Sequence, residues 1–137
     1  MGWLSNLFKK KKYTKCSDSS ATLMLCDIHV SENLKKLKMG FDSYYFYKNG
    51  ALYKSKSLLY SGNEKLCAPS YVETSLWLEK RYGVSIEVHP ETHEVLVNDR
   101  PVAYMGTFTY YEVIQMTLKY ITNNLVEYGT IFGKQGA

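Results

Sequence analysis

Residues Ala68–Val88 read APSYVETSLWLEKRYGVSIEV, and this stretch decides the fold. Pro69 biases Ala68 away from helix. Ser70-Tyr71-Val72-Glu73 then fits the S-x-x-E capping box: the hydroxyl takes the N3 amide and the glutamate reaches back to the cap amide. A helix is predicted from Ser70 to Tyr82, ended by Gly83. Beyond it, Val84, Ile86 and Val88 alternate with Ser85 and Glu87, the mark of a half-buried strand. Within the helix, Tyr71, Ser75, Leu78 and Tyr82 share one face, Val72 and Leu76 a second, and Trp77 a third. A helix apolar on several sides is covered on more than one. It is therefore expected to pack on the following sheet, and also against the upstream residues or a partner.

Downstream, His89-Pro90-Glu91-Thr92 turns the chain. Glu94–Asn98 returns as a strand with Val95 and Val97 on one face, Asn98-Asp99-Arg100 turns again, and Pro101–Met105 is a third strand. Thr109-Tyr110-Tyr111-Glu112 is a second capping box, with Phe108 and Val113 placed for a hydrophobic staple. Tyr110, Val113, Ile114, Thr117, Leu118, Ile121 and Leu125 trace the stripe of a last helix. Upstream, Ser31 is read as the N-cap of a short helix over Glu32–Met39, stopped by Gly40. Asn49-Gly50 is a strong type I′ hairpin signal between strands Ser43–Lys48 and Ala51–Lys54. Residues 55–67 lack periodicity and read as a loop.

The fold expected is α+β. A short helix and a β-hairpin precede an α-β-β-β-α unit with its helices on one face of an antiparallel sheet. The domain is expected over 21–128, with sub-parts 21–67 and 68–128. A basic amphipathic tail over 1–20 precedes it, and a frayed end over 129–137 follows.

The net charge of +4 is unevenly spread: Lys9, Lys10, Lys11, Lys12 and Lys15 stand in the first 15 residues, where there is no acid. The rest of the chain sums to −1. Trp3, Leu4, Leu7 and Phe8 form one stripe just before the lysines. An apolar segment followed by lysines suits the surface of an anionic membrane, where each lysine contributes roughly 1 kcal/mol. The tail, from Trp3 to Lys12, is thus the candidate contact for a membrane or polyanion. Asn6 departs from the myristoylation pattern, which needs Ser or Thr there. The three cysteines, Cys16, Cys26 and Cys67, are odd in number and lack C-x-x-C spacing, which fits a reducing compartment and neither disulfides nor zinc.

The residues CAPSYVETSLWLEKRYGVSIEV resemble a group of small proteins from phages and prophages of Bacteroides and relatives. That group's segment reads C-A-P-T-x-Q-x-A-x-x-W-L-R-E-K-H-x-I-x-I-E. Ala68, Pro69, Ser70, Trp77, Leu78, Lys80 or Arg81, Ile86 and Glu87 stand in matching places, and Tyr82 stands where the group usually has His. GTFTYYEVIQMTLKYITNNL is similar to the group's closing helix, and SENLKKLKMGFDSYYFYKNGALY to its opening segment and hairpin. The resemblance covers about residues 30–126, leaves out the basic tail, and implies a phage or prophage origin without naming an activity. The α-β-β-β-α order of residues 70–126 also resembles the double-stranded-RNA-binding domain. That domain reads phosphates with a lysine-rich start to its last helix. Here the start is TFTYYE, so nucleic acid is not expected as a partner of the folded body.

No catalytic, cofactor or metal constellation emerges. His89 and His93 flank a turn containing Pro90 and lack a third ligand. There is no G-x-S-x-G and no Gly-rich phosphate loop. Cys67 reads as a small buried filler, and Glu73 and Glu112 as caps. Tyr44, Tyr45, Phe46 and Tyr47 make both faces of one strand aromatic. Tyr45, Tyr47, Val72, Leu76 and Trp77 are the candidate protein interface. The function expected is that of a non-enzymatic phage or prophage accessory protein that binds a host or phage protein. It would act in the bacterial cytoplasm, with the tail allowing a place beside the inner membrane. Nucleic-acid binding and a structural role in the virion are the alternatives.

Overall fold

The computed structural model describes residues 12–16, 24–62, 64–104 and 108–131, with backbone alone for 102–104. Trp3, Leu4, Leu7, Phe8 and Lys9–Lys11 lie outside the described residues, as do 132–137 of the expected frayed end. The architecture is α+β. In chain order the elements are β1 (Tyr13–Lys15), α1 (Ile28–Lys36), β2 (Asp42–Lys48), β3 (Ala51–Tyr60) and β4 (Leu66–Cys67). Then follow α2 (Tyr71–Tyr82), β5 (Ile86–Val88), β6 (Glu94–Val97), β7 (Arg100–Tyr104) and α3 (Tyr110–Tyr128). Two antiparallel sheets result, one ordered β1-β3-β2-β4 and the other β5-β6-β7.

The second half forms as its punctuation dictates. Ser70 and Thr109 both complete capping boxes, with Glu73 and Glu112 reaching back to the cap amides. Gly83 and Gly129 end the helices at φ 67° and 73°, the left-handed region where a Cβ is costly. Asn49-Gly50 and Asn98-Asp99 close two hairpins with positive φ at both central positions, as a type I′ turn requires. Val95 and Val97 are buried, and meet Val113, Leu118 and Ile121 of α3 and Leu78 of α2 in one core. That core continues into Cys26, Val30, Leu34 and Met39, so residues of both parts share it.

Three features of the first part differ from the sequence reading. α1 begins at Ile28 with Asp27 as its cap, whose carboxylate accepts from Val30 N–H at 2.9 Å. Ser31 is instead a buried residue inside the helix. The stop moves with it: Lys38, not Gly40, takes the positive φ of 62°. Ile28-His29-Val30 has poor helix propensity, and the helix extends there because its inner face packs on α3. Asn33 Nδ2 donates to Thr122 Oγ1 at 3.0 Å and to Asn123 Oδ1 at 2.6 Å. The stretch expected as a loop, 55–67, holds the end of β3 and all of β4, since Ser43 pairs with Leu59, Asp42 with Tyr60 and Phe46 with Cys67. Tyr13–Lys15, within the expected tail, pairs with Tyr53–Ser55 as an edge strand.

Cys26 is fully buried, and burial pushes its thiol up from 9.0 to about 12. Burial also raises the phenols of Tyr47 and Tyr71 above their ordinary 10.0. Above pH 9 the unfolded chain sheds the Cys26 proton that the native chain keeps. The native state then binds more protons, so stability falls as pH rises towards 12. The tyrosines add to this slope above pH 10. The urea midpoint is expected to fall between pH 9 and pH 12, and Cys26→Ala to make the fall shallower by up to about 1.4 kcal/mol per pH unit. An equal slope in both proteins would contradict it.

Candidate functional site

An apolar groove of about 290 Å3 lies where α2, β5 and α3 meet. Val72, Ser75 and Leu76 of α2 form one wall, one helical turn separating the two apolar side chains. Tyr110, Ile114 and Leu118 of α3 form the other, again with an i, i+4 spacing. Ile86 and Val88 of β5 lie between them, and Met24 and Tyr71 complete the lining. Val72 and Leu76 are 59% and 58% exposed, well beyond what a helix facing its own core leaves open. The two helices are held at this separation by hydrogen bonds. Gln115 Nε2 of α3 donates to Tyr71 Oη of α2 at 2.8 Å, and Gln115 Oε1 accepts from Asp27 N–H at 3.1 Å.

β5 is an edge strand. Asn98 N–H donates to Ser85 C=O and His89 N–H to Glu94 C=O. By the alternation of an antiparallel ladder, Ser85, Glu87 and His89 direct their backbone groups to β6. Ile86 and Val88 direct theirs to the side of β5 away from β6, where no strand pairs with it among the described residues. The groove thus combines apolar walls with an open strand edge. Its polar groups are the hydroxyls of Tyr71, Ser75 and Tyr110, and none of the lining residues is acidic or basic. Such a lining serves burial and hydrogen bonding.

Of the sequence candidates, Val72 and Leu76 come together in this groove. Trp77 lies outside its lining, half-buried against the core with its ring 5.5 Å from that of Tyr82. Tyr45 is half-buried, with Lys54 Nζ 5.9 Å from its ring. Tyr47 is half-buried and donates its hydroxyl to Cys26 C=O at 2.7 Å, which ties it to the fold. Lys12 is exposed, and the other tail candidates lie outside the described residues. Met24, Ile86, Val88 and Ile114 were missed, since each reads as an ordinary apolar residue until α2 and α3 are set side by side.

His89 Nδ1 accepts from the N–H groups of Glu91 and Thr92, both at 3.2 Å, and so shapes its own turn. His93 Nδ1 donates to Phe108 C=O at 2.7 Å. No group of three metal-ligating side chains occurs among the described residues. No described helix is long and apolar enough to cross a membrane. Against protein-family models, curated proteins and solved structures, the chain finds no match.

An apolar fluorescent dye is expected to bind the native protein in this groove. Leu76→Glu should lower that binding several-fold. Because Leu76 is mostly exposed, Tm should move little. Unchanged dye emission with the variant would place the dye elsewhere.

Proposed function

We propose that the protein is a non-enzymatic binding protein whose groove receives an extended apolar segment of a partner protein. One observation carries this reading: the apolar walls stand beside the open edge of β5. An added strand would hydrogen-bond Ile86 and Val88, and its alternate side chains would enter between Val72-Leu76 and Ile114-Leu118. The main-chain bonds would supply affinity and the groove would select side chains. A helix in the same groove would leave the edge groups of Ile86 and Val88 unused, so the extended form is the better fit.

The likeness of residues 30–126 to small phage and prophage proteins supports an accessory role inside a bacterial host, with a phage or host protein as partner. The apolar residues Trp3, Leu4, Leu7 and Phe8 in the sequence, and the four lysines after them, support a place beside an anionic membrane.

The test is selection of displayed random peptides on the immobilised full chain. Selected peptides are expected to carry apolar residues at alternate positions and to slow amide exchange at Ile86 and Val88 at least tenfold. Leu76→Lys should weaken them by about tenfold or more. Peptides that bind Leu76→Lys equally well, or that leave both amides unprotected, would overturn the reading.

A further inference from the structure

The other sheet holds a second concavity of different chemistry. Tyr45 pairs with Lys54 and Ser43 with Leu59, so the single residue Tyr44 stands opposite the excursion Ser55–Leu58 of β3. This bulge opens a cleft of about 430 Å3 lined by Thr14, Tyr44, Lys54, Ser55 and Lys56. The volume falls within the range of small-molecule sites, about 300–1,000 Å3. Lys12 stands at its border, because Lys56 N–H donates to Lys12 C=O at 3.0 Å. Lys12, Lys54 and Lys56 are all exposed, and among the described residues no carboxylate lines the cleft. Tyr44 is 44% exposed, so its ring is open to contact.

The charge of the whole chain is divided in the same sense. Residues 1–67 carry twelve lysines against five acids, and residues 68–137 carry five basic residues against eight acids. The near-neutral sum over the body hides this division. On the strands of the β1-β3-β2-β4 sheet, Lys15, Lys48, Lys54 and Lys56 stand against the single acid Asp42.

We propose that this cleft binds single-stranded nucleic acid, with one base stacked on Tyr44 and the adjoining phosphates on Lys54, Lys56 and Lys12. Single-strand sites combine a basic groove with aromatic platforms, because every base offers a π face and every nucleotide a charge. The hydroxyls of Thr14 and Ser55 add hydrogen-bonding groups beside the lysines. A duplex keeps its bases stacked inside and has none to offer Tyr44. A bilayer would meet the lysines across a flat headgroup layer and leave the cleft unfilled.

The experiment measures binding of the full chain to labelled oligo-deoxythymidine at low salt. An abasic strand, a duplex of equal length and phosphatidylserine vesicles are the other ligands. Oligo-deoxythymidine should bind tightest of the three nucleic acids, with affinity falling as salt rises. Tyr44→Ala should weaken it about tenfold while leaving the abasic strand unaffected, and Tyr44→Phe should bind as the parent does. The tail is intact in these variants, so its lysines cannot produce the difference. Lys54→Gln with Lys56→Gln should reduce the salt slope by about 0.7 per lysine. That exposed pair keeps the test decisive should Tyr44→Ala lower the melting temperature. Equal affinity of Tyr44→Ala and the parent for oligo-deoxythymidine, or duplex binding at least as tight, would overturn the proposal. So would binding to vesicles alone.

Discussion

The hydrogen bonds around Leu25, Cys26 and Asp27 hold the two parts of the molecule in one frame. Leu25 bridges to Ser70, and Cys26 N–H donates to Pro69 C=O at 2.8 Å. Tyr47 of β2 donates its hydroxyl to Cys26 C=O, and the Cys26 thiol lies 3.2 Å from Thr74 Oγ1 of α2. Asp27 caps α1 with its side chain and donates its N–H to Gln115 of α3. These few residues therefore touch the first sheet and all three helices. Every buried side-chain N or O atom among the described residues has a partner. In a dry interior, loss of one partner leaves another group unsatisfied, typically at about 1–3 kcal/mol.

The groove depends on this frame. Gln115 sets α3 against Tyr71 of α2 and against the entry to α1, and the space left above Ile86 and Val88 is what remains once those contacts are made. Met24 reaches the groove because Leu25 is anchored at Ser70. The cleft on the other sheet has a different origin, a bulge in β3 that one tyrosine cannot fill. The two concavities also differ in chemistry. One is apolar and belongs mostly to the acidic half, while the other is lined by lysines and hydroxyls in the basic half.

Much of the second half was legible from residues alone. Ser70-Glu73 and Thr109-Glu112 are caps with local mechanisms, Gly83 is a local stop, and Asn98-Asp99 is a local turn. None needs a distant partner to form, so sequence spacing reports them faithfully. The first part was less legible because its elements depend on distant contacts. Ile28-His29-Val30 is helical because Asn33 and Leu34 dock against the rest of the fold. Lys54, Leu59 and Tyr60 pair with β2, although Ser55–Leu58 between them bulges out of that register. Val72 and Leu76 stood out as apolar residues on a side the core did not require.

Where α2 and α3 begin, where α2 stops, and the turns and inward valines of the second sheet are set by the residues along the chain. So is the way charge is shared along the chain. Those properties follow from short-range hydrogen bonding and from periods of two and 3.6 residues. That α2 and α3 leave a groove over an open strand edge, and that β3 swings away from Tyr44 to open a lysine-lined cleft, follows from packing between distant parts of the chain. The reason is physical: a cavity is what packing fails to fill, and that depends on side chains far apart in the chain.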